Sequence, residues 1–332
     1  MKSPDVPEVR FELWSGADGC RGSTERYAFL DGTLVSNTPL TDFEPFRLQS
    51  SHHLHGDPSE KTAGPWAPAR SPQGSDKTWP PEDRLELLFE DEVLLGDVSM
   101  PLRCLGSEHG LRLAGPDAEL EIDRDGRRIR ARLLGGEDQG PSSEKRPGLR
   151  TFIGNAWVVS ATFRDWLVLH AGAVSKQGRV FGFIGPSGAG KSTLSEALGR
   201  RSGYRQVADD MLACTAAPDG SGFQASPRFP QPALGSRGAD LLRFSTPRLD
   251  IHSLYFLSPA EPGETVRLEK LAPSRAAGLL TSSIVGLPWM NPSRVAQVLD
   301  ALAELTATVP CFRLTYPHEP DSVRLVAEVL DD

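Results

Sequence analysis

The stretch GRVFGFIGPSGAGKSTL, residues 178–194, decides the fold because it joins a strand pattern, a glycine-rich turn and a helix pattern. Residues 185–192 match GxxxxGK[ST] at every required position. An apolar run at 180–184 precedes the match, and a helix-compatible run at 192–200 follows it. This order predicts a loop whose backbone N–H groups curl round phosphate, so we expect the chain to bind a nucleotide.

The loop residues have different expected tasks. Lys191 should reach the β- and γ-phosphate oxygens, and Ser192 should place its hydroxyl on Mg²⁺. The predicted cofactors are therefore ATP and Mg²⁺. The residues predicted to contact the nucleotide form one consecutive run: Gly185, Pro186, Ser187, Gly188, Ala189, Gly190, Lys191, Ser192 and Thr193.

Two adjacent carboxylates follow the loop closely. Asp209 and Asp210 end the short apolar run YRQVADD, 18 residues after Lys191. A bare acidic pair is most often a turn or a helix cap, but its position directly after the loop helix favours a catalytic role. Near a Mg²⁺-nucleotide, one carboxylate can bind metal while the other accepts a proton from an attacking hydroxyl. We find no NKxD-type base reader of translational GTPases.

A histidine lies one strand before the loop. His170 interrupts the apolar run LVLHAGAV, residues 167–174. On an apolar strand such a residue is more often structural than catalytic. The loop and the acidic pair around it keep both interpretations open, and we count His170 with Asp209, Asp210 and Lys191 as the catalytic candidates.

Composition narrows the class of protein. The 332 residues carry a net charge of −8, which argues against a nucleic-acid partner because such proteins usually present a basic face. The four cysteines lie far apart, so neither a zinc knuckle nor a disulfide framework is indicated. The N-terminus has no apolar signal core and about 18 consecutive apolar residues occur nowhere, so we expect a cytoplasmic protein without a membrane partner.

The composition and the secondary-structure pattern of the sequence change along its length. Short strand patterns with turns at Asp31-Gly32 and Asp125-Gly126 predict a mostly β domain over 1–140. Within it, the Pro-, Ser- and His-rich stretch at about 42–83 reads as a flexible segment, and we interpret its histidines (52, 53 and 55) as solvated rather than as metal ligands. Residues 150–332 alternate helices and strands, which predicts an α/β domain with a mixed sheet and an α+β chain overall.

The order LHAGAV, short turn, GRVFGFIGPSGAGKSTL, helix, VADD resembles the catalytic domain of the HPr kinase/phosphorylase family. The resemblance implies a P-loop fold akin to phosphoenolpyruvate carboxykinase. It further implies ATP phosphates on the loop, Mg²⁺ on Ser192 and one aspartate, for which we take Asp210, and the other aspartate as base. The reverse assignment stays open. His170 would support them, and relatives of this kind assemble into homo-oligomers.

The chain departs from that family at Thr193, where an acidic residue is usual, and in its N-terminal region. A divergent serine kinase acting on a peptide or protein is therefore the expected function. Two alternatives stay open: a nucleotide-binding regulatory or assembly ATPase without a phospho-acceptor, and a phosphotransferase acting on a small metabolite. One of four arginines between the acidic pair and the next strand is expected to complete the site: Arg228, Arg237, Arg243 and Arg248.

Overall fold

The computed structural model describes the following residues: 9–14, 25–29, 32–36, 86–95, 98–107, 110–115, 118–123, 125–126, 128–133, 156–164, 166–226, 248–287, 290, 292–319 and 322–331. They form a mixed α/β structure with two eight-stranded sheets. The segment at about 42–83 lies outside the described residues, as do three of the four arginines named above. No helix in the described part of the chain is long and apolar enough to cross a membrane.

The first sheet is built from the N-terminal strands. They are β1 (Val9–Trp14), β2 (Glu25–Phe29), β3 (Gly32–Ser36), β4 (Glu86–Leu95), β5 (Val98–Ser107), β6 (Gly110–Ala114), β7 (Ala118–Asp123) and β8 (Arg128–Leu133). Their order is β2-β3-β1-β8-β7-β6-β5-β4, with β1 parallel to both of its neighbours. The predicted turn between β7 and β8 is confirmed: Gly126 has φ +67° and its N–H donates to Asp123 O.

The second sheet carries the glycine-rich loop. Its strands are β9 (Leu167–Lys176), β10 (Arg179–Ile184), β11 (Tyr204–Ala208), β12 (Met211–Ala216), β13 (Phe223–Ala225), β14 (Leu249–Ala260), β15 (Arg267–Lys270) and β16 (Cys311–Pro317). β10 is antiparallel to β9 and parallel to β14, and β16 is parallel to β14. The predicted mixed sheet is thereby confirmed.

Helices cover both faces of this sheet: α2 (Lys191–Gly199), α3 (Pro273–Thr281), α4 (Pro292–Thr308) and α5 (Ser322–Asp331). A further helix, α1 (156–162), contacts the turn between β7 and β8, where Ser160 Oγ donates to Gly126 O at 2.6 Å. Alternate residues of each strand point to opposite faces, and β10 accordingly contributes Val180 and Ile184 to one hydrophobic cluster and Phe181 and Phe183 to another. The first cluster includes α3 and α4, and the second includes α2 and α5, which gives a three-layer arrangement.

Candidate functional site

The glycine-rich loop connects β10 to α2, as the sequence predicts. Gly188 and Gly190 have φ of +81° and +87°, a left-handed conformation that costs glycine little. Gly190 caps α2 without a side-chain hydrogen bond, and the first turn of α2 holds no acidic residue. The N–H groups at this helix end are therefore available to an anion that the helix dipole also favours.

Lys191 lies inside the loop. Its Nζ donates to the carbonyl oxygens of Gly185 at 2.8 Å and Pro186 at 3.0 Å, and the residue is 5% exposed. Burial lowers the pKa of Lys191, and the nearby Asp210 charge opposes that shift. The Lys191 side chain is thus held inside the loop by two backbone carbonyls.

The acidic pair forms the bend between β11 and β12. The sequence suggests one strand through YRQVADDMLAC, whereas the structure breaks it at Asp209 and Asp210. Both halves pair antiparallel with β9, from Tyr204↔Lys176 to Cys214↔Leu167. The Asp210 carbonyl accepts from Ala171 N–H at 2.9 Å, so the bend is tied to the strand that carries His170.

The side chains of His170 and Asp210 form a hydrogen bond. Nε2 of His170 lies 3.1 Å from Oδ1 of Asp210, and both side chains are nearly half exposed. This hydrogen bond is the main reason why the pKa of Asp210 is lowered, and the charges of His170 and Lys191 add to it. Asp210 is therefore ionised at neutral pH and open to solvent. Asp209, at 5% exposed, faces the interior.

Polar contacts connect α2 to the acidic bend. Ser192 Oγ donates to the Asp209 carbonyl at 2.9 Å. One turn further along α2, the buried Ser195 accepts from Gln206 Nε2 at 3.2 Å and donates to Ser192 O at 3.1 Å. Because Gln206 belongs to β11, these bonds fix the helix start against the strand that ends at the acidic pair.

Gly172 allows β9 to approach α2 closely. A Cβ at this position would lie 2.8 Å from the carbonyl oxygen of Lys191 and 3.1 Å from Ser195 Oγ. Real side chains do not tolerate such a distance to a backbone oxygen. The glycine of LHAGAV therefore sets the spacing between the His170 strand and α2.

One wall of the site was not predicted from the sequence. At Gly190, a Cβ would lie 2.7 Å from Tyr316 Oη and 3.4 Å from His318 Nε2, so both rings adjoin the loop. Tyr316 lies near the end of β16 and His318 directly follows that strand, more than 120 positions away from the loop in the chain. A strand signal does exist in CFRLTYPHE, and ligands of α/β sheets usually bind at the carboxyl ends of parallel strands.

The described residues fit a metal only together with phosphate oxygens. No three His, Cys, Asp or Glu side chains within the described ranges converge on a metal position. Mg²⁺ is commonly held by one or two carboxylates together with substrate phosphates, and Ser192 and the acidic pair adjoin the loop. Gly188 has open space on its Cβ side, which leaves room for a bound group above the loop.

Of the four arginines expected to complete the site, only Arg248 lies within the described ranges, and it lies away from the loop. It stacks on Trp166, 4.9 Å from the ring centroid. It precedes β14 at the end opposite the loop, because Arg179 pairs with Asp250 and Ile184 with Phe256. Six residues of strand separate the two ends by about 20 Å. Arg248 therefore does not complete this site.

No protein-family model matches this chain, and no curated protein matches it. Among solved structures, the chain is similar to the Hpr(Ser) kinase/phosphatase from Coxiella burnetii. That match has 13% sequence identity and a TM-score of 0.24, and it covers 49% of this chain and 95% of the other. A superposition this loose carries no argument about function, which must come from the residues of the site.

Proposed function

We propose that this protein is an ATP- and Mg²⁺-dependent kinase that transfers the γ-phosphoryl group to a hydroxyl, on serine of a peptide or protein. One observation carries the proposal. Asp210, ionised and half exposed, is held by His170 at 3.1 Å and is coupled electrostatically to Lys191 in the loop. A carboxylate beside a phosphate loop is what an attacking hydroxyl requires.

We further propose that the chain is a divergent member of the HPr kinase/phosphorylase-like P-loop family, with the phosphoenolpyruvate carboxykinase type of fold and a cytoplasmic site of action. The support is local: β9, β10 and β11 bring LHAGAV, the loop and VADD together. The hydrogen bond from Ser192 to Asp209 O joins the loop helix to the acidic bend. Thr193 keeps HPr itself from being the favoured acceptor.

Exposure supports different roles for the two aspartates. The Asp210 carboxylate accepts from His170 and is nearly half exposed, so the hydroxyl of an acceptor can approach it. As the hydroxyl oxygen bonds to the γ-phosphorus, its proton passes to Asp210 and the β–γ bridging oxygen leaves with ADP. His170 positions the carboxylate. This assignment makes Asp210 the base and reverses our expectation from sequence that it binds metal.

The remaining groups of the site would neutralise the charge of the phosphates and position the transferring group. Lys191 and the N–H groups of the loop bind phosphate oxygens. Ser192, with Asp209 beside it, would hold Mg²⁺, which supplies charge neutralisation at the transferring group when bound. Because Asp209 is 5% exposed, its contribution is expected to be to the metal and to the bend rather than to the acceptor.

The test is transfer of label from γ-labelled ATP with Mg²⁺ to serine peptides and to proteins of a cell extract. Asp210→Asn should lower transfer about 10²- to 10⁴-fold, the usual value of a general base, while ADP binding stays within a few-fold. Lys191→Ala should lose both phosphoryl transfer and ADP binding. Asp300→Asn, on the exposed face of α4, is the matched control and should behave as wild type.

The outcomes separate the competing functions. Label on a defined serine that Asp210→Asn abolishes supports the kinase. Undiminished transfer by the double variant of Asp209→Asn and Asp210→Asn refutes the mechanism. ATP binding with no labelled macromolecule in any extract favours the regulatory or assembly ATPase, and label on a small molecule favours the metabolite phosphotransferase.

A further inference from the structure

Two aromatic rings at the end of β16 lie beside the glycine-rich loop. The rings of Tyr316 and His318 lie 5.1 Å apart at an interplanar angle of 43°. Both face Gly190: Tyr316 Oη would be 2.7 Å from a Cβ there, and Nε2 and Cε1 of His318 would be 3.4 and 3.5 Å from it. The Nε2 edge of the imidazole therefore points at the loop backbone.

The backbone around His318 is fixed from two sides. Before it, β16 runs beside β14 up to Tyr316↔Pro259 and Pro317↔Ala260. After it, Glu319 Oε1 accepts from Gly263 N–H at 3.2 Å, and Glu319 O accepts from Ser322 N–H at the start of α5. His318 is itself exposed, so its ring is positioned at the loop but still open to a ligand.

Tyr316 forms the base on which the imidazole rests. It is 4% exposed, and burial raises its pKa to about 12. The phenol therefore stays neutral at physiological pH and adds no negative charge beside a bound anion. Its Oη also sterically requires glycine at position 190, where φ is +87°.

We infer that His318 is a nucleotide-binding residue that donates a hydrogen bond from Nε2 to the phosphates that remain on the nucleoside diphosphate after transfer. The inference rests on the proposed function of the loop. Position decides which phosphates: Gly190 directly precedes Lys191, and the loop backbone cradles the α- and β-phosphates, whereas the lysine reaches toward the γ-phosphate.

This role has a kinetic signature. A contact to phosphates present in both ATP and ADP stabilises ground state and transition state equally. Its removal should raise the Kd of ADP and the KM of ATP by the same factor and leave kcat unchanged. A residue that acted in the transfer step would lower kcat instead.

The experiment measures ADP binding in MgCl₂ by titration calorimetry with three variants. His318→Ala and His318→Phe should raise the Kd about tenfold, which corresponds to one hydrogen bond to a charged group. His318→Gln, which keeps an N–H donor near the Nε2 position, should stay within about threefold. The pair of Phe and Gln variants separates hydrogen bonding from ring packing on Tyr316.

His252→Ala provides the matched control. Like His318, His252 is exposed and has an aromatic contact, to Phe181 at 5.4 Å, but it lies at the end of β14 opposite the loop. Its replacement should leave the Kd of ADP unchanged. All four variants are surface substitutions, so thermal unfolding should show that each remains folded.

Each outcome distinguishes this inference from the proposed function. Wild-type affinity in His318→Phe, or an equal loss in His252→Ala, overturns the role of His318 while the loop remains a nucleotide site, provided that Lys191→Ala still abolishes binding. A wild-type protein that binds neither ADP nor ATP overturns both. A tenfold loss confined to the Ala and Phe variants, with kcat unchanged, supports the inference.

Discussion

Replacement of Gly172 by alanine should displace α2, the helix that begins at Lys191. The new Cβ would lie 2.8 Å from the Lys191 carbonyl oxygen, whereas ordinary van der Waals contact begins at 3.4 Å. β9 is paired on both edges, to β10 and to β11, so the strand is held more firmly than the helix start. We expect α2 to yield by about 0.6 Å and to carry Lys191 with it.

The cost follows from that overlap. Overpacking by one methyl group destabilises by about 1–3 kcal/mol, which lowers the Tm of a domain of this size by about 2–12 °C. The displaced loop should also raise the Kd of ADP about tenfold or more, since misplacement by about 1 Å can cost a hundredfold. Thermal unfolding and calorimetric titration with ADP measure the two effects.

Gly278→Ala is the control for this substitution. Gly278 lies in α3 with nothing within 4 Å of its Cβ position, so alanine there should leave ADP affinity unchanged and stabilise by about 0.5–1 kcal/mol. A Gly172→Ala protein with wild-type Tm and ADP affinity would refute the tight contact between β9 and α2 and the reasoning built on it.

Two further predictions concern the polar groups of the site. His170→Ala should raise the pKa of Asp210 toward its ordinary value, because the bond from His170 is the largest cause of its lowering. The stability that the Asp210 carboxylate contributes is present above its unfolded pKa and is lost as pH falls through its folded pKa, so in the variant this contribution should be smaller and its loss complete at higher pH. A carboxyl carbon NMR titration that found equal Asp210 pKa values would contradict this. Gln206→Leu removes the buried donor to Ser195 and should cost about 1–3 kcal/mol in urea unfolding. An unchanged midpoint and slope would show that the bond is dispensable.

Local patterns were sufficient to predict much of the second sheet. The strand before the loop, the helix after it and the strands on either side follow from apolar runs and glycine turns, and α2 begins at Lys191 as expected. The bend at Asp209 and Asp210 could not be predicted from the local sequence. Nothing in YRQVADDMLAC shows that one strand must break there so that both halves can pair with β9.

Long-range register could not be predicted from the sequence. His318 lies beside Gly190 only because β10, β14 and β16 are parallel neighbours whose carboxyl ends meet at one edge. From the sequence, a further site residue is therefore expected in the stretch with four arginines that follows the acidic pair in the chain. Arg248 in that stretch is about 20 Å from the loop, because proximity in sequence does not fix which end of β14 faces the site.

The position of β9 affects how readily its backbone amides exchange with solvent. Its backbone bonds to β10 on one edge and to β11 and β12 on the other, and His170 N–H additionally donates to Ser283 O at 2.7 Å. Amide hydrogens in such a strand exchange with solvent through large, cooperative opening rather than by fraying. We therefore expect the backbone of the His170 strand, the acidic bend and the helix start to open to exchange as one slow unit.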